Sequence, residues 1–469
     1  MESSYHKEEL SALLQQYEDL KTGKKHTFLE EEAFERIIDY FDDVEDLPKA
    51  LEAARLATTQ FPYSSMLMIK KADLLIAMQQ YHRALEILDK AALFDNNDIN
   101  IYILKTDAYL ALDQQDKAVD ILEQALHLFE GEERIELLFD LADVYDNYEV
   151  FDKVFDCLKL ILEQDVTNEE ALHKICFWTD FTGRNEESIR LHTHIIDEHP
   201  YNVLAWFNLA AAYQGLKLYE KAIDAYQYAI VIDEKFDYAY RNMADAYIRL
   251  RKYKEAIEAL EKVLELSRPE ELIYEAIGHC YHKLNQFAKA RFHYKKAIHI
   301  SPYDSKLYYK IACTYMGEQH WQSAIKQLEA AMRIHRLRPD YSLAIGQCYM
   351  QLEQYKEAVQ YFGNVVSIRP KGMAGWNELI RCLYVAGYYA EALKQSTIAI
   401  KATQGKPIFL FYMAITLLKM NKRKEALLKL EEALQQSPQL VKKIIQLDST
   451  ILQNNRIVAL ISRYKKRTH

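Results

Sequence analysis

The fold of this chain is decided by residues 203–301, which read VLAWFNLAAAYQGLKLYEKAIDAYQYAIVIDEKF (203–236), DYAYRNMADAYIRLRKYKEAIEALEKVLELSRPE (237–270) and ELIYEAIGHCYHKLNQFAKARFHYKKAIHIS (271–301). Alanine recurs in the same setting in all three segments, at Ala222, Ala256 and Ala290, a step of 34 residues. The step continues outward to Ala324, Ala358, Ala392 and Ala426. A fixed period of this length indicates a repeat architecture.

Aromatic and small residues keep the same step. An aromatic residue stands three positions before the alanine, as Tyr219, Tyr253, Phe287, Trp321, Tyr355 and Tyr389, and small residues recur as Ala210, Ala244, Gly278, Ala312 and Gly346. Each unit holds two blocks of apolar residues at helical spacing with a short turn between them, which predicts a helical hairpin. Because one hairpin cannot bury its apolar face alone, the hairpins are expected to stack on one another.

This pattern resembles the tetratricopeptide repeat family, whose repeat carries an early Trp, then Leu-Gly, Tyr, Ala, Phe, Ala and Pro. The early aromatic is present as Trp206, Tyr240, Tyr274, Tyr308 and Trp376, and Pro302, Pro370 and Pro438 stand near the ends of units. The resemblance covers nearly the whole chain. It implies an all-α, right-handed superhelical solenoid whose first helices line a concave groove in which peptides bind.

The register extends back toward the N-terminus with one interruption. Counting back from Ala222 gives Ser188 and Val154, and a two-residue insertion near residues 130–133 then leads to Ala118, Ala84 and Ala50. The count predicts about twelve hairpins, of which ten carry alanine at the repeated position. All nine prolines then fall between helices or in a first helical turn, where proline costs little.

Four segments follow from this register. We predict an N-terminal capping helix over residues 1–30, an acidic array of four repeats over 31–168, and a regular array of eight repeats over 169–440. A C-terminal capping helix with a basic tail is expected over 441–469, with Ile451, Leu452, Val458 and Ile461 covering the last hairpin. The first helix has a second interpretation, a displaceable segment that regulates the groove, and residues 165–185 are a candidate softer joint.

Charge is distributed unevenly along the chain. Residues 1–168 hold 16 Lys and Arg against 37 Asp and Glu, a balance of −21, whereas residues 169–469 hold 43 against 32, a balance of +11. Two interpretations stay open: solvated outer faces, or acidic and basic arms that bind different partners.

Cysteine usage and hydropathy bear on the compartment. The six cysteines include no CxxC pair, and Cys280, Cys348 and Cys382 share one position of the repeat, so they are predicted to be small buried residues in a reducing, cytoplasmic protein. The longest nearly apolar run, 408–418, is shorter than a membrane span needs and is predicted to be a buried first helix.

No motif in the sequence indicates catalysis. A P-loop, GxGxxG, GxSxG and HExxH are all absent from the sequence, so we expect no enzyme activity, no catalytic residues and no cofactor. His279 with His282, and His192 with His194 and His199, are interpreted as surface or groove histidines because a metal site needs three or four converging ligands, so no metal is expected.

The predicted function is that of a protein–protein interaction scaffold or adaptor. Two alternatives are a nucleic-acid-associated repeat protein that uses the basic C-terminal arm and, less favoured, a regulatory subunit of an enzyme complex. The partners are expected to be peptide or helical segments, acidic or of mixed charge at the C-terminal arm, and self-association stays possible. The predicted groove residues are Asn208, Tyr238, Arg241, Asn242, Arg249, Lys283, Lys306, Tyr309 and Lys310.

Overall fold

A computed structural model describes residues 2–22 and 28–465, and within these ranges every regular element is a helix. The all-α prediction is therefore confirmed. The chain divides into two compact units, residues 1–242 and 243–469, which we call the N-terminal unit and the C-terminal unit. The predicted segments near the chain ends fall partly outside the described residues, since positions 1, 23–27 and 466–469 lie there.

The N-terminal unit contains thirteen complete helices in its described residues. They are α1 (Glu2–Lys21), α2 (Glu31–Asp43), α3 (Leu47–Gln60), α4 (Ser65–Ala77), α5 (Tyr81–Phe94), α6 (Ile99–Ala111), α7 (Gln115–Ala125), α8 (Gly131–Asn147), α9 (Phe151–Gln164), α10 (Glu169–Thr182), α11 (Asn185–Glu198), α12 (Val203–Gly215) and α13 (Tyr219–Ile232). The next helix, α14 (Asp237–Arg249), has residues in both units.

The C-terminal unit continues the alternation of first and second helices. Its helices are α15 (Tyr253–Leu266), α16 (Glu271–Lys283), α17 (Phe287–Ile300), α18 (Ser305–Gly317), α19 (Trp321–Ile334), α20 (Pro339–Gln351), α21 (Tyr355–Ile368), α22 (Met373–Val385), α23 (Tyr389–Ala402), α24 (Pro407–Lys419), α25 (Arg423–Gln436), α26 (Val441–Leu447) and α27 (Asn455–Lys465). Short 3-10 helices cover Pro438–Leu440 and Ser449–Gln453.

A left-handed residue marks the turn between each first helix and the second helix that follows it. Ten of the twelve are not glycine and have φ between 56° and 62°: Glu45, Gln79, Asp113, Glu149, Lys217, Arg251, Asn285, Gln319, Glu353 and Asn421. The other two are Gly183 and Gly387. The step between them is 34 residues, except for 36 between Asp113 and Glu149. The backbone thus repeats with the register of the sequence, insertion included; how many hairpins are tetratricopeptide repeats stays a prediction.

The repeated alanine position is buried in every hairpin. Every residue of the series is buried, including the two that are not alanine, Val154 at 3% and Ser188 at 1% exposure. Small residues of the first helices also bring the helices together: an added Cβ on Gly346 would lie 2.6 Å from the ring of Phe362. Every hairpin thus contributes the same buried positions to the core.

The first helix of the chain packs on α2. Its Tyr17 is buried, with its ring centroid 6.1 Å from that of Phe41, and Lys21 forms an ion pair with Glu52 of α3 at 2.6 Å. These contacts cover one end of the first hairpin.

The C-terminal segment is broken where one helix was expected. Asp448 interrupts it: its carboxylate caps the backbone N–H of Thr450 and accepts hydrogen bonds from Lys419 and from the hydroxyl of Tyr384. Ile451 and Ile461 are buried as predicted, but Leu452 and Val458 are exposed at 43% and 38%. The break rotates the segment, and the buried residues that join the last core cluster are Val441, Ile444, Ile451, Ile457, Ile461 and Tyr464.

The apolar run 408–418 forms α24, which is buried on all sides. Helices α22, α23, α25 and α26 contact it, so even Phe409 and Phe411 have no exposed surface. Its only polar residue, Thr416, donates to the carbonyl of Tyr412 at 2.7 Å. The predicted burial of this run is confirmed, and no described helix is long and apolar enough to cross a membrane.

Candidate partner-binding surfaces

One position of the first helices carries the same acidic residue four times in the N-terminal unit. This position lies six residues before the left-handed turn residue, and the helices that carry it, α2, α4, α6 and α8, pack side by side in order. All four side chains are exposed. We call this set the aspartate row: Asp39, Asp73, Asp107 and Asp143.

The two end aspartates of the row form ion pairs with described lysines, and the two middle ones do not. Asp39 pairs with Lys70, and Asp143 lies 3.9 Å from Lys174. Asp73 and Asp107 have no ion pair with any described residue. Partial loss of solvent around these exposed side chains, and then repulsion by a neighbouring carboxylate, raise their pKa values, with Asp42 acting on Asp73, and Asp73 acting on Asp107.

A further aspartate lies beside the row on α8. Partial burial, followed by repulsion from Glu136, Asp107 and Asp143, raises the pKa of Asp140 to about 6. Its Oδ2 atom is buried without a hydrogen-bond partner. Such a carboxylate destabilises the folded state at neutral pH, because like charges repel and the buried oxygen has lost its water.

An exposed cluster of aromatic rings occupies the fifth helix of the series. Phe177 of α10 stands at the row position itself and is 61% exposed. It contacts Trp178 and Phe181, with ring centroids 5.0 and 5.9 Å away, and Phe151 of α9 lies 4.7 Å from Phe181. We call Phe151, Phe177, Trp178 and Phe181 the ring cluster.

A buried polar network links three helices behind this surface. Ser188, His192 and Asn208 are each at most 2% exposed. The Nδ1 atom of His192 lies 2.8 Å from the carbonyl of Ser188, which can only accept, so Nδ1 carries the proton and Nε2 accepts from Asn208 at 3.2 Å. Asn208 also donates to the carbonyl of Leu172 at 2.7 Å.

The hydrogen bonds of this network stabilise the fold and do not form a catalytic arrangement. Burial lowers the pKa of His192 to about 4, so the ring is neutral at pH 7. Its protonated Nδ1 faces Ser188, which is the wrong tautomer for a base that activates a serine. The interpretation of His192 as a surface or groove histidine is wrong, and Asn208 is a buried residue whose amide is bonded inside the fold and is not open to a peptide.

The other predicted groove residues of the N-terminal unit are more accessible. Tyr238 is 60% exposed, and its ring lies 6.1 Å from that of Phe236. Arg241 and Asn242 are half-buried.

In the C-terminal unit the predicted residues differ in how free they are. Lys283 and Lys306 are exposed and form no ion pair with a described residue. Arg249 is exposed and lies 3.5 Å from Asp245, a pair of low energetic value. Lys310, by contrast, is bound to Glu275 of α16, and Tyr309 is half-buried against Tyr341 with ring centroids 5.4 Å apart.

Glu275 also belongs to an acidic group on the C-terminal unit. Its carboxylate oxygens lie within 4.8 Å of those of Glu271 and Asp304. Glu275 already accepts from the ammonium of Lys310, so one of the three carboxylates is paired within the fold.

The cysteines have no reactive environment. Cys157, Cys280, Cys348 and Cys382 are buried and free, in agreement with the prediction. Burial raises the pKa of Cys280 and Cys348 to about 12, which keeps both as neutral thiols.

The aspartate row and the ring cluster are the features that sequence reasoning missed. The row follows the 34-residue step, with 36 across the insertion, so the same register predicts it once exposed positions are compared as carefully as apolar ones. The cluster gives a weaker signal, since Phe177 and Phe181 have the helical spacing typical of buried residues.

Comparison with known proteins agrees with this architecture. Residues 164–344 match the family model of the tetratricopeptide repeat protein 21 C-terminal ARM domain, and residues 339–371 match a tetratricopeptide repeat. Residues 164–371 of the chain therefore resemble tetratricopeptide repeats. No curated protein matches it.

Solved structures of tetratricopeptide repeat proteins are similar to parts of this chain. A C-terminal part of a tetratricopeptide repeat-containing protein from Cytophaga hutchinsonii has 18% identity and a TM-score of 0.44, and covers 54% of this chain and 98% of its own. YrrB, described as having an unusual peptide-binding site, has 21% identity and a TM-score of 0.35, with coverages of 40% and 96%. The Cut9–Hcn1 complex has 14% identity and a TM-score of 0.35, with coverages of 89% and 95%.

Proposed function

We propose that this protein is a non-catalytic scaffold that binds segments of partner proteins along the exposed side chains of its first helices. The observation that supports the proposal is a repeated position on neighbouring first helices that is charged, exposed and not needed for packing. Repeat proteins of this build present such positions as extended binding surfaces. The six free cysteines fit a reducing compartment, for which we propose the cytoplasm.

The basic surface of the C-terminal unit is proposed to bind an acidic or mixed-charge segment. Lys283 and Lys306 supply the accessible charge, and Tyr309 and Lys310 border them. Arg249 belongs to the same surface. In the N-terminal unit, Tyr238, Arg241 and Asn242 are proposed as further contacts, whereas Asn208 is left out because it is buried.

The test uses two variants with the same change in net charge. Lys283→Glu with Lys306→Glu reverses the proposed surface, and Lys295→Glu with Lys326→Glu reverses exposed lysines of second helices. Purified wild type and both variants capture proteins from a cell extract, and the captured proteins are quantified by mass spectrometry.

We expect partners with acidic segments to be retained by the wild type and by the control, and to be reduced about tenfold by the first variant. Added salt should narrow the difference. Equal capture by all three proteins would contradict the proposed surface, and salt-sensitive retention of nucleic acid in place of proteins would contradict the scaffold function.

A further inference from the structure

The ring cluster exposes apolar surface that the fold does not use. Phe177 and Phe181 are 61% and 57% exposed. They lie on each other and on Trp178, so the rings form one patch and are not isolated surface residues. A contiguous exposed apolar patch on a soluble protein typically marks an interaction site.

A notch beside the patch adds negative charge to it. The notch has a volume of about 340 Å³ and is lined by Glu149, Val150, Phe151, Asp152, Phe181 and Thr182. The carboxylates of Glu149 and Asp152 form no ion pair with a described residue. Ring faces next to free carboxylates suit an ammonium or guanidinium group, which is attracted by both.

The fold already holds two of its own cations in this way near the cluster. Lys174 lies 4.9 Å from the ring centroid of Phe139 and 2.9 Å from a carboxylate oxygen of Glu170. The guanidinium carbon of Arg184 lies 4.3 Å from the ring centroid of Phe155, and its Nη1 lies 2.7 Å from Asp156. The same pairing of ring and carboxylate, left open at the notch, therefore fits an incoming cation.

The aspartate row leads from α2 to this patch, because Phe177 occupies the position that Asp39, Asp73, Asp107 and Asp143 occupy on the preceding first helices. The middle of the row is unpaired and its carboxylates repel one another. A positively charged partner would relieve that repulsion, whereas an acidic or neutral one would not.

We propose that the aspartate row and the ring cluster together form a docking surface for a Lys/Arg-rich segment of a partner protein, with an apolar or aromatic side chain of that segment on the ring cluster. The proposal rests on the scaffold function but uses no residue of the C-terminal unit. The partner differs in charge from the one proposed for Lys283 and Lys306.

The spacing of the row specifies the segment further. Packed first helices lie about 10 Å apart, and an extended chain advances about 3.3 Å per residue. An extended segment with a cation at about every third residue therefore matches successive aspartates, and an aromatic side chain beyond the last cation reaches Phe177.

The test measures the binding of fluorescent synthetic peptides to the full chain by anisotropy. The first peptide has four Lys-Ala-Ser repeats followed by Phe, and a second has Phe at the other end, since the direction of binding is not specified. Comparison peptides lack Phe, replace Lys with Glu, or place the four lysines side by side. Spermine serves as a small polycation.

Two protein variants test the two parts of the surface. Asp73→Asn with Asp107→Asn and Asp140→Asn removes charge from the row while keeping side-chain shape. Phe177→Ser with Phe181→Ser removes the exposed rings. The matched control, Glu86→Gln with Asp120→Asn and Glu186→Gln, removes three exposed, unpaired charges from second helices of the same unit.

We expect the spaced peptide with Phe to bind the wild type and the control equally, and the aspartate variant about tenfold or more weakly, with a smaller dependence on salt. The variant without Phe177 and Phe181 should bind the peptide with Phe only as well as the wild type binds the peptide that lacks Phe. Removing Phe from the peptide should then not weaken its binding to this variant any further. Thermal unfolding separates this from misfolding, because the aspartate variant should melt at the same or a higher temperature.

The proposal is overturned if the aspartate variant and the control lose the same amount of affinity, or if clustered lysines or spermine bind as tightly as the spaced peptide. It is also overturned if removing Phe from the peptide weakens binding to the variant without Phe177 and Phe181 as much as it weakens binding to the wild type. A wild type that fails to bind either Phe peptide also overturns it. That failure leaves the capture experiment on Lys283 and Lys306 unaffected, so the two proposals are judged separately.

Discussion

The two units show the same backbone with different chemistry at one position of the first helices. In the N-terminal unit this position reads Asp39, Asp73, Asp107 and Asp143 before Phe177 and Ala211, whereas in the C-terminal unit it reads Asp245, His279, Cys313, Gln347, Arg381 and Ile415. The left-handed turn six residues later is the same in both. Packing therefore does not require an aspartate at this position, and the C-terminal unit has only one there.

A buried position differs in another way. His192 of the N-terminal unit corresponds by the 34-residue step to Leu260, Tyr294, Leu328, Phe362, Ser396 and Leu430 of the C-terminal unit. All seven side chains are buried, and burial lowers the pKa of the histidine to about 4. At a position that is mostly apolar or aromatic, His192 thus makes a hydrogen-bonded contact, which should make the stability of α10–α12 depend on pH.

The largest difference is expected when the chain ends are removed. Deleting 441–469 should make the C-terminal unit self-associate and lose cooperative melting, because α24 and α25 lose the cover of Val441, Ile444, Ile451, Ile457 and Ile461. Removing one such buried isoleucine costs about 2–5 kcal/mol. Size-exclusion chromatography with light scattering and circular dichroism measure both effects.

Deletion of 1–22 serves as the comparison and should have a smaller effect, since Tyr17 is the one buried side chain among residues 10–22, whose side chains the structure describes. Leu452→Ala and Val458→Ala, which alter exposed residues, should change stability by no more than about 0.5 kcal/mol. A truncated C-terminal unit that stays monomeric and melts unchanged would show that these contacts are not needed.

The second prediction concerns pH. The pKa of His192 is about 4 in the folded state and about 6.5 in an unfolded chain, so the unfolded chain binds the proton more readily between these values. The N-terminal unit should therefore lose stability as the pH falls from about 6.5 to about 4, by about 3 kcal/mol in total. In the C-terminal unit burial also lowers the pKa values of His279, His282 and His293, but these rings are only half-buried, so the loss of stability there should be smaller.

Hydrogen exchange of α10–α12 and of α22–α24, which contain no histidine, at several pH values would measure the difference. His192→Phe, which introduces the residue found at position 362, should flatten the pH dependence of α10–α12 even though it leaves Asn208 with one partner fewer. An unchanged slope in this variant would assign the pH dependence to other groups.

The third prediction concerns the strain of the aspartate row. The folded pKa of Asp140, about 6, lies above its ordinary value of 3.8, so the stability it contributes is complete below pH 3.8 and is lost as the pH rises through 6. Asp140→Asn should then stabilise the N-terminal unit at pH 7 by about 1–2 kcal/mol, a value reduced for solvent screening. Urea unfolding at pH 7 and pH 4 measures the gain, which should vanish at the lower pH; a gain that persists there would indicate another cause.

The smallest effect is expected at the turns. Glu353 and Gly387 hold the same left-handed conformation in consecutive hairpins of the C-terminal unit. Glu353→Gly should stabilise the unit by up to about 1 kcal/mol, and Gly387→Ala should destabilise it by a similar amount, since nothing lies within 4 Å of the added Cβ and only the backbone is affected. Thermal melting of both variants measures this, and shifts of the same sign would contradict it.

The sequence by itself determined the hairpins, their register and the insertion. The reason is that apolar positions, small residues and turns repeat locally, within about one helical turn of each other, and a 34-residue step adds the same local evidence many times. The burial of the alanine series and of the run 408–418 follows directly from that pattern. Even the aspartate row is contained in it, although it stands on the exposed side.

The tertiary structure alone decided which polar residues are free. Asn208 is bonded to Leu172, 36 positions earlier, and Lys310 to Glu275, 35 positions earlier. Such pairs join neighbouring hairpins, and the repeat pattern specifies where each side chain stands but not which polar group of the next hairpin meets it. Exposure to water is decided in the same way. His192 is neutral because packed neighbours exclude water from its ring. The rings of α9 and α10 form an exposed cluster because packed neighbours leave them in contact with water.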